Sequence, residues 1–154
     1  MQSCFRRGEY RGYEVRLQLK RRGRRYDPLE IVRPQDAYAF MRDLAKESAE
    51  FAYSLLLDEK HRVTDVYLVG KGGCKAALVD PKEVFKASLA VNSPAFVFVH
   101  NHPSGVVDPS AEDMALMRRL DEASSLLNIS FLDSLIIGDG RYYSFQEHGL
   151  LGGR

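Results

Sequence analysis

The chain has 154 residues, 45% of them hydrophobic and 28% charged, and a formal net charge of +1. That is enough length to bury a core as one globular domain with an appended arm, and the balance is that of a water-soluble protein. No stretch reaches the ~18 apolar residues of a membrane span, the N-terminus has no apolar signal region, and two cysteines, Cys4 and Cys74, make neither a disulfide framework nor a metal knuckle. A cytoplasmic protein with no membrane association is the expectation.

The small net charge hides an asymmetry. Residues 1–25 carry nine Lys/Arg against Glu9 and Glu14, a surplus of seven, which leaves the remainder acidic. YEVRLQLK alternates apolar and polar residues, and RRGRR is a glycine-containing turn, so a basic hairpin is expected within an arm of residues 1–33. A solvated arginine-rich turn needs no partner. With Tyr10, Tyr13 and Tyr26 interleaved, though, residues 6–25 also offer a surface for DNA phosphates and bases.

The second unit spans residues 34–154. Pro34 opens a helix with Ala37, Phe40, Met41, Leu44 and Ala45 on one face. FAYSLLLD and RVTDVYLV are strands joined at Glu59-Lys60-His61, and CKAALV is a third. Asp80-Pro81-Lys82-Glu83 starts a helix, with Asp80 as cap, Glu83 reaching back to it, and Val84, Phe85, Leu89 and Ser88 toward the core. After Asn92 and Pro94, AFVFV is a continuous apolar run expected at the centre of a sheet. A helix from about Ala111 to Leu127 carries Met114, Met117, Leu120 and Leu127, with Asn128 as its C-cap. FLDSLIIGDGRYYSF closes the chain as a hairpin turning at Asp139-Gly140. The order β-β-α-β-β-β-α-β-α-β-β predicts an α/β fold, a mixed β-sheet flanked by helices.

The central run ends in HNHPSGVVDPSAED, residues 100–113. His100 and His102 share a face if the strand continues through Asn101, and Asp113 lies in the first turn of the next helix. Two imidazoles and a carboxylate make a zinc set with one tetrahedral position open, as in catalytic sites. Each feature has a plainer reading. Ser110-Ala-Glu-Asp113 is a capping box, and the histidines are then polar tips of a strand. The Pro-Gly loop that joins the two features favours the metal. Hydrolysis also needs a proton shuttle, and residue pattern alone does not select one carboxylate. His61 and His148 are expected at the surface, and Cys74 in a strand. The H-x-E and P-C-x-x-C of zinc deaminases and an H-E-x-x-H helix are absent. A two-histidine, one-carboxylate iron site is allowed by ligand type, but the spacing to Ser110 favours a hydrolase.

The spacing H-x-H-x(7)-S-x(2)-D resembles the signature of the JAMM (MPN-type) metallopeptidases, and HNHPSG…PS..D resembles their RadC branch. EFAYSLLLDEKHRV, PKEVFKASLAVN and FLDSLIIGDGRYYSF agree with RadC in order and spacing, from Ala37 to Gly149. The resemblance implies a cytidine-deaminase-like sheet and a zinc-dependent peptidase or isopeptidase. It implies one Zn2+ on His100, His102 and Asp113, with Glu50 as the acid–base residue and Ser110 steadying the oxyanion. A protein or peptide substrate follows from that chemistry. Without the resemblance, Glu50 reads as a solvated acid before a strand. The chain departs from the family at Asp80 and Ser134, where histidine is usual, and at Gly70-Lys71-Gly72-Gly73, where Ser-x-Gly-Thr is usual; these positions are expected in substrate-contacting loops. The basic hairpin stands where full-length RadC proteins carry a helix-hairpin-helix module. Two other functions compete: a DNA-binding or repair-associated protein working through the arm, and a non-catalytic scaffold.

Overall fold

The structure is a computed structural model and describes residues 29–72 and 79–151 together with Gln18 and Lys20. The basic hairpin therefore lies almost wholly outside the described residues, as do Cys4, Cys74 and most of the CKAALV run. The described chain forms α1 (Pro34–Met41), a 3₁₀ turn (Arg42–Lys46), β1 (Phe51–Leu57), β2 (Val63–Lys71), α2 (Pro81–Val91), β3 (Ala95–Asn101), α3 (Ala111–Leu127), β4 (Ser130–Ile137) and β5 (Tyr142–Ser144). The strands make one mixed sheet in the order β2-β1-β3-β4-β5. Only β3 and β4 run parallel, and α3 connects them; the other neighbouring pairs are antiparallel. This is the expected mixed sheet flanked by helices.

The alternation of side chains along a strand divides the core between two faces. Phe96 and Phe98 of β3 pack with Leu56, Val84, Phe85, Leu116 and Leu120 beneath α2 and α3. Val97 and Val99 point the other way, into a cluster with Leu55, Leu57, Leu135, Ile137, Ala37 and Leu44 beneath α1. Every residue of β3 is buried, as its unbroken apolar run requires of a central strand. Full burial of a Phe, Leu or Ile side chain contributes about 1.5–3 kcal/mol, so this strand is the anchor of both layers.

The local signals shape the connections. Asp58 accepts from the backbone N–H groups of Lys60 and Arg62 and pairs with the Arg62 guanidinium, and His61 takes the left-handed conformation of a tight hairpin. Asn92 and Asn128, both left-handed, end α2 and α3. Asp80 caps α2 by accepting from Lys82 N–H.

Three expectations are corrected. Glu83 does not reach back to the α2 cap; it pairs with Lys86 one turn on. Leu89 is 56% exposed, because the buried stripe of α2 centres on Val84 and Ser88 with Phe85 at its edge, and Leu89 lies about 120° around the helix from that centre. The helix opened by Pro34 does not continue through Ala45, but tightens into the 3₁₀ turn after Met41 while Leu44 stays buried. Along α3, Leu116, Met117 and Leu120 are buried, while Leu127 in the last turn is 39% exposed.

One buried acid ties the C-terminal part together. Asp133 of β4 is 4% exposed. It accepts from Ser134 N–H (2.7 Å), Gln146 N–H (3.0 Å) and Ser144 Oγ–H (2.5 Å), and so fastens β4 to the turn after β5. Burial dominates over these bonds and pushes its carboxyl up to about 6, from 3.8. A group raised in the folded state stabilises fully below its unfolded pKa, and that stabilisation is lost as pH rises through the folded value. Wild type is therefore expected to lose about 2 kcal/mol between pH 4 and pH 6, out of about 3 kcal/mol in all, relative to Asp133→Asn, whose amide keeps the two backbone bonds. Denaturant unfolding of both proteins across that range checks this; identical pH profiles would refute it.

Candidate metal centre

β3 stays extended through Asn101, so His100 and His102 emerge on one side of the sheet tip, in line with Phe96 and Phe98. The parallel crossover returns the start of α3 to the same end of the sheet. There Ser110 caps the helix: its Oγ accepts from Asp113 N–H at 3.0 Å, while its own N–H and hydroxyl donate to Asp113 Oδ2 at 2.8 and 2.7 Å. The capping reading and the ligand reading of Asp113 thus hold together. The reciprocal cap aims the carboxylate, and its two oxygens face the two rings.

Asp113 Oδ1 lies 3.1 Å from His100 Nε2, Asp113 Oδ2 lies 3.4 Å from His102 Nε2, and the two Nε2 atoms are 3.3 Å apart. With zinc–ligand bonds of about 2.0–2.1 Å, two ligand atoms of a tetrahedral site stand about 3.3 Å apart. The donor set and its spacing fit a divalent cation, and this trio is the candidate metal cluster among the described residues.

Electrostatics agrees with the geometry. Burial pushes the Asp113 carboxyl up, but hydrogen bonds from His100, His102 and Ser110, with the charge of His100, together outweigh it and hold the group well below the usual carboxylate range. The Asp113 hydrogen bond raises His102 against the effect of burial, helped by the Val106 carbonyl and the negative charge of Glu50. His102 Nδ1–H donates to Val106 O at 2.8 Å, which fixes the tautomer and leaves the Nε2 lone pair for a ligand. His100 Nδ1 is buried with no hydrogen-bond partner among the described residues.

The remaining predicted residues fall as follows. Glu50 precedes β1, whose ladder with β3 begins at Ala52↔His100; continued upstream, that register sets Glu50 opposite His102. The Glu50 side chain makes no hydrogen bond among the described residues. Ser110 spends its hydroxyl proton on Asp113. His61 and His148 are exposed and away from the trio. Ser134, expected in a loop, is buried inside β4, and Asp80 is the α2 cap.

Three contributors were missed from sequence. Val106 acts through its backbone carbonyl, which no residue pattern reveals. Asn101, between the histidines, is fully buried and bonds to the segment around Glu50. Gly138, two residues before the hairpin glycine, lets the loop after His102 close in: a Cβ there would meet Gly105 O at 2.4 Å and Val107 Cγ1 at 2.6 Å. The second glycine in Gly138-Asp139-Gly140 was the available signal for that last one.

A mixed sheet whose central strand and crossover helix converge on a His-His-Asp cradle is an α/β domain of the JAB/MPN type. Residues 31–150 match the family described as RadC-like JAB domain, and the chain belongs to that family. It is 42% identical over 130 residues to a UPF0758 protein of Trichlorobacter lovleyi, an alignment covering 83% of this chain and 56% of that one. It is 40% identical over 123 residues to a UPF0758 protein of Methanosarcina acetivorans, covering 79% and 54%. The chain spans about half the length of these curated relatives.

Two binding outcomes follow. Metal-free protein should take up one divalent ion per chain, and Asp113→Ala or His102→Ala should abolish that uptake; calorimetric titration with zinc checks both. Gly138→Ala should push the Gly105–Val107 segment outward, withdraw the Val106 carbonyl from His102, and weaken affinity by about 10–100-fold without changing stoichiometry.

Proposed function

We propose that this domain is a zinc-dependent hydrolase of peptide or isopeptide bonds. The observation that carries the reading is the convergence of His100, His102 and Asp113 at tetrahedral spacing, with Glu50 just upstream of the Ala52↔His100 pair and near enough for its charge to act on His102. Three protein ligands leave one position for substrate and water, as catalytic rather than structural zinc sites do. Zinc held by His100, His102 and Asp113 would supply Lewis acidity for a carbonyl and would make water easier to deprotonate.

The chain's own residues do the rest. Glu50 is close enough for its charge to act on His102, and among the described residues its side chain makes no hydrogen bond, as suits a proton carrier. It takes a proton from the attacking water and hands it to the amine nitrogen as the C–N bond breaks. Ser110 sits beside Asp113 with a hydroxyl that can turn from the carboxylate to the carbonyl oxygen as negative charge develops there. The family match supports the assignment, since it covers every one of these residues.

Glu50→Gln should keep one zinc per chain while amide hydrolysis falls by about 10²–10⁴-fold, measured as amine release from fluorogenic peptide and isopeptide-linked substrates. A glutamine variant as active as wild type, or zinc-loaded wild type that cleaves no amide, would defeat the proposal. A second reading rests on the surplus of seven positive charges in residues 1–25: the arm brings the domain to DNA. Affinity for duplex DNA should then fall steeply with salt and weaken when Arg21, Arg22, Arg24 and Arg25 become glutamine. Salt-independent binding argues against it.

A further inference from the structure

We infer that Asn101 is the positioning residue for Glu50: its buried side-chain amide grips the backbone on both sides of Glu50 and so sets where that carboxylate stands relative to the metal ligands. Asn101 Oδ1 accepts from Phe51 N–H at 2.7 Å, and Nδ2 donates to Ala49 O at 3.0 Å. These are the two residues that flank Glu50. The amide thus stands in for a peptide unit of a neighbouring strand, offering one acceptor and one donor in a plane.

The place needs such a substitute. The β1–β3 ladder begins at Ala52↔His100, and beyond it the backbone N–H of His102 turns to Ile137 O on β4. Residues 49–51 lie upstream of that ladder. On the other side, Gly72 N–H donates to Glu50 O at 2.8 Å. Three hydrogen bonds therefore hold the backbone around Glu50, while its side chain makes none among the described residues.

Residue type and location both matter. Asn101 is 0% exposed, so its bonds are shielded from competing water. It also lies between His100 and His102 on the opposite face of β3. One strand tip then carries two metal ligands on one face and, on the other, the grip on the proposed base. Aspartate loses the donor, serine is too short to make both bonds, and alanine loses both. Asn101 itself touches neither substrate nor metal in this arrangement.

The inference rests on the reading of Glu50 as the base beside the cation, and the test separates the two. The full chain is loaded with cobalt(II) in place of zinc and labelled with ¹³C-glutamate; the Glu50 carboxyl signal is assigned by its absence from Glu50→Gln. In wild type that signal should be displaced from its position in the zinc form. Asn101→Ala should still take up one cobalt per chain. Its Glu50 displacement should shrink about twofold or more, since a shift of about 1 Å is enough to spoil such a site, and its Phe51 amide should exchange about tenfold faster, as for one lost hydrogen bond. An alanine variant with the wild-type Glu50 signal overturns the inference alone. A wild-type Glu50 signal unmoved by cobalt overturns the base assignment and the inference with it. If Asn101→Ala does not fold, Asn101→Asp decides: a Glu50 displacement about twofold or more smaller than in wild type supports the grip, and one equal to wild type refutes it.

Discussion

Ser110 and Asp113 close the first turn of α3 by giving each other hydrogen bonds, and the same Asp113 carboxylate faces two imidazoles at the end of β3. An N-terminal helix turn needs acceptors for its free N–H groups, and a metal needs a fixed anion. One residue is placed to meet both needs here, so the start of the helix and the geometry of the candidate site cannot drift apart. The parallel β3–α3–β4 connection makes this possible, because it brings the helix back to the strand end from which the histidines project. The apolar layers on both faces of β3 hold that strand in place.

Much of this is legible in the residues. AFVFV has no polar position and could only be a strand covered on both sides. Asp139-Gly140 and the asparagines at positions 92 and 128 mark their turns through well-understood backbone preferences. The His100–Asp113 spacing reads as a metal set because a strand ending and a capped helix beginning are both visible around it. Where the reading fails, rotation or backbone is responsible. Leu89 satisfies an i, i+4 relation to Phe85, yet a second stripe through Val84 and Ser88 wins the packing. Ser134 looked like a loop position and is a strand interior. A lone acid such as Glu50 carries no local signature at all; it gains meaning from the strand register and from the family.

Asn101 and Val106 show a further limit. Both work through peptide-like groups, one borrowed from a side chain and one from the main chain, and neither would be picked out by charge or nucleophilicity. They hold the histidine tautomer and the segment around Glu50, the parts of the site that distance between ligands does not describe. Preorganisation of this kind is what keeps a reacting geometry within a few tenths of an ångström.

The close approach of Gly138 to the loop after His102 has a consequence for how the chain tolerates insertion. The two hairpins, 58–62 and 138–141, look alike as exposed, polar, glycine- or histidine-turned tips. They are not equivalent. A foreign peptide spliced in at Glu59-Lys60 would enter solvent and leave the cation cradle alone. The same peptide at Asp139-Gly140 would pry against the loop that orients His102, so one tip has room for added chain and the other has little.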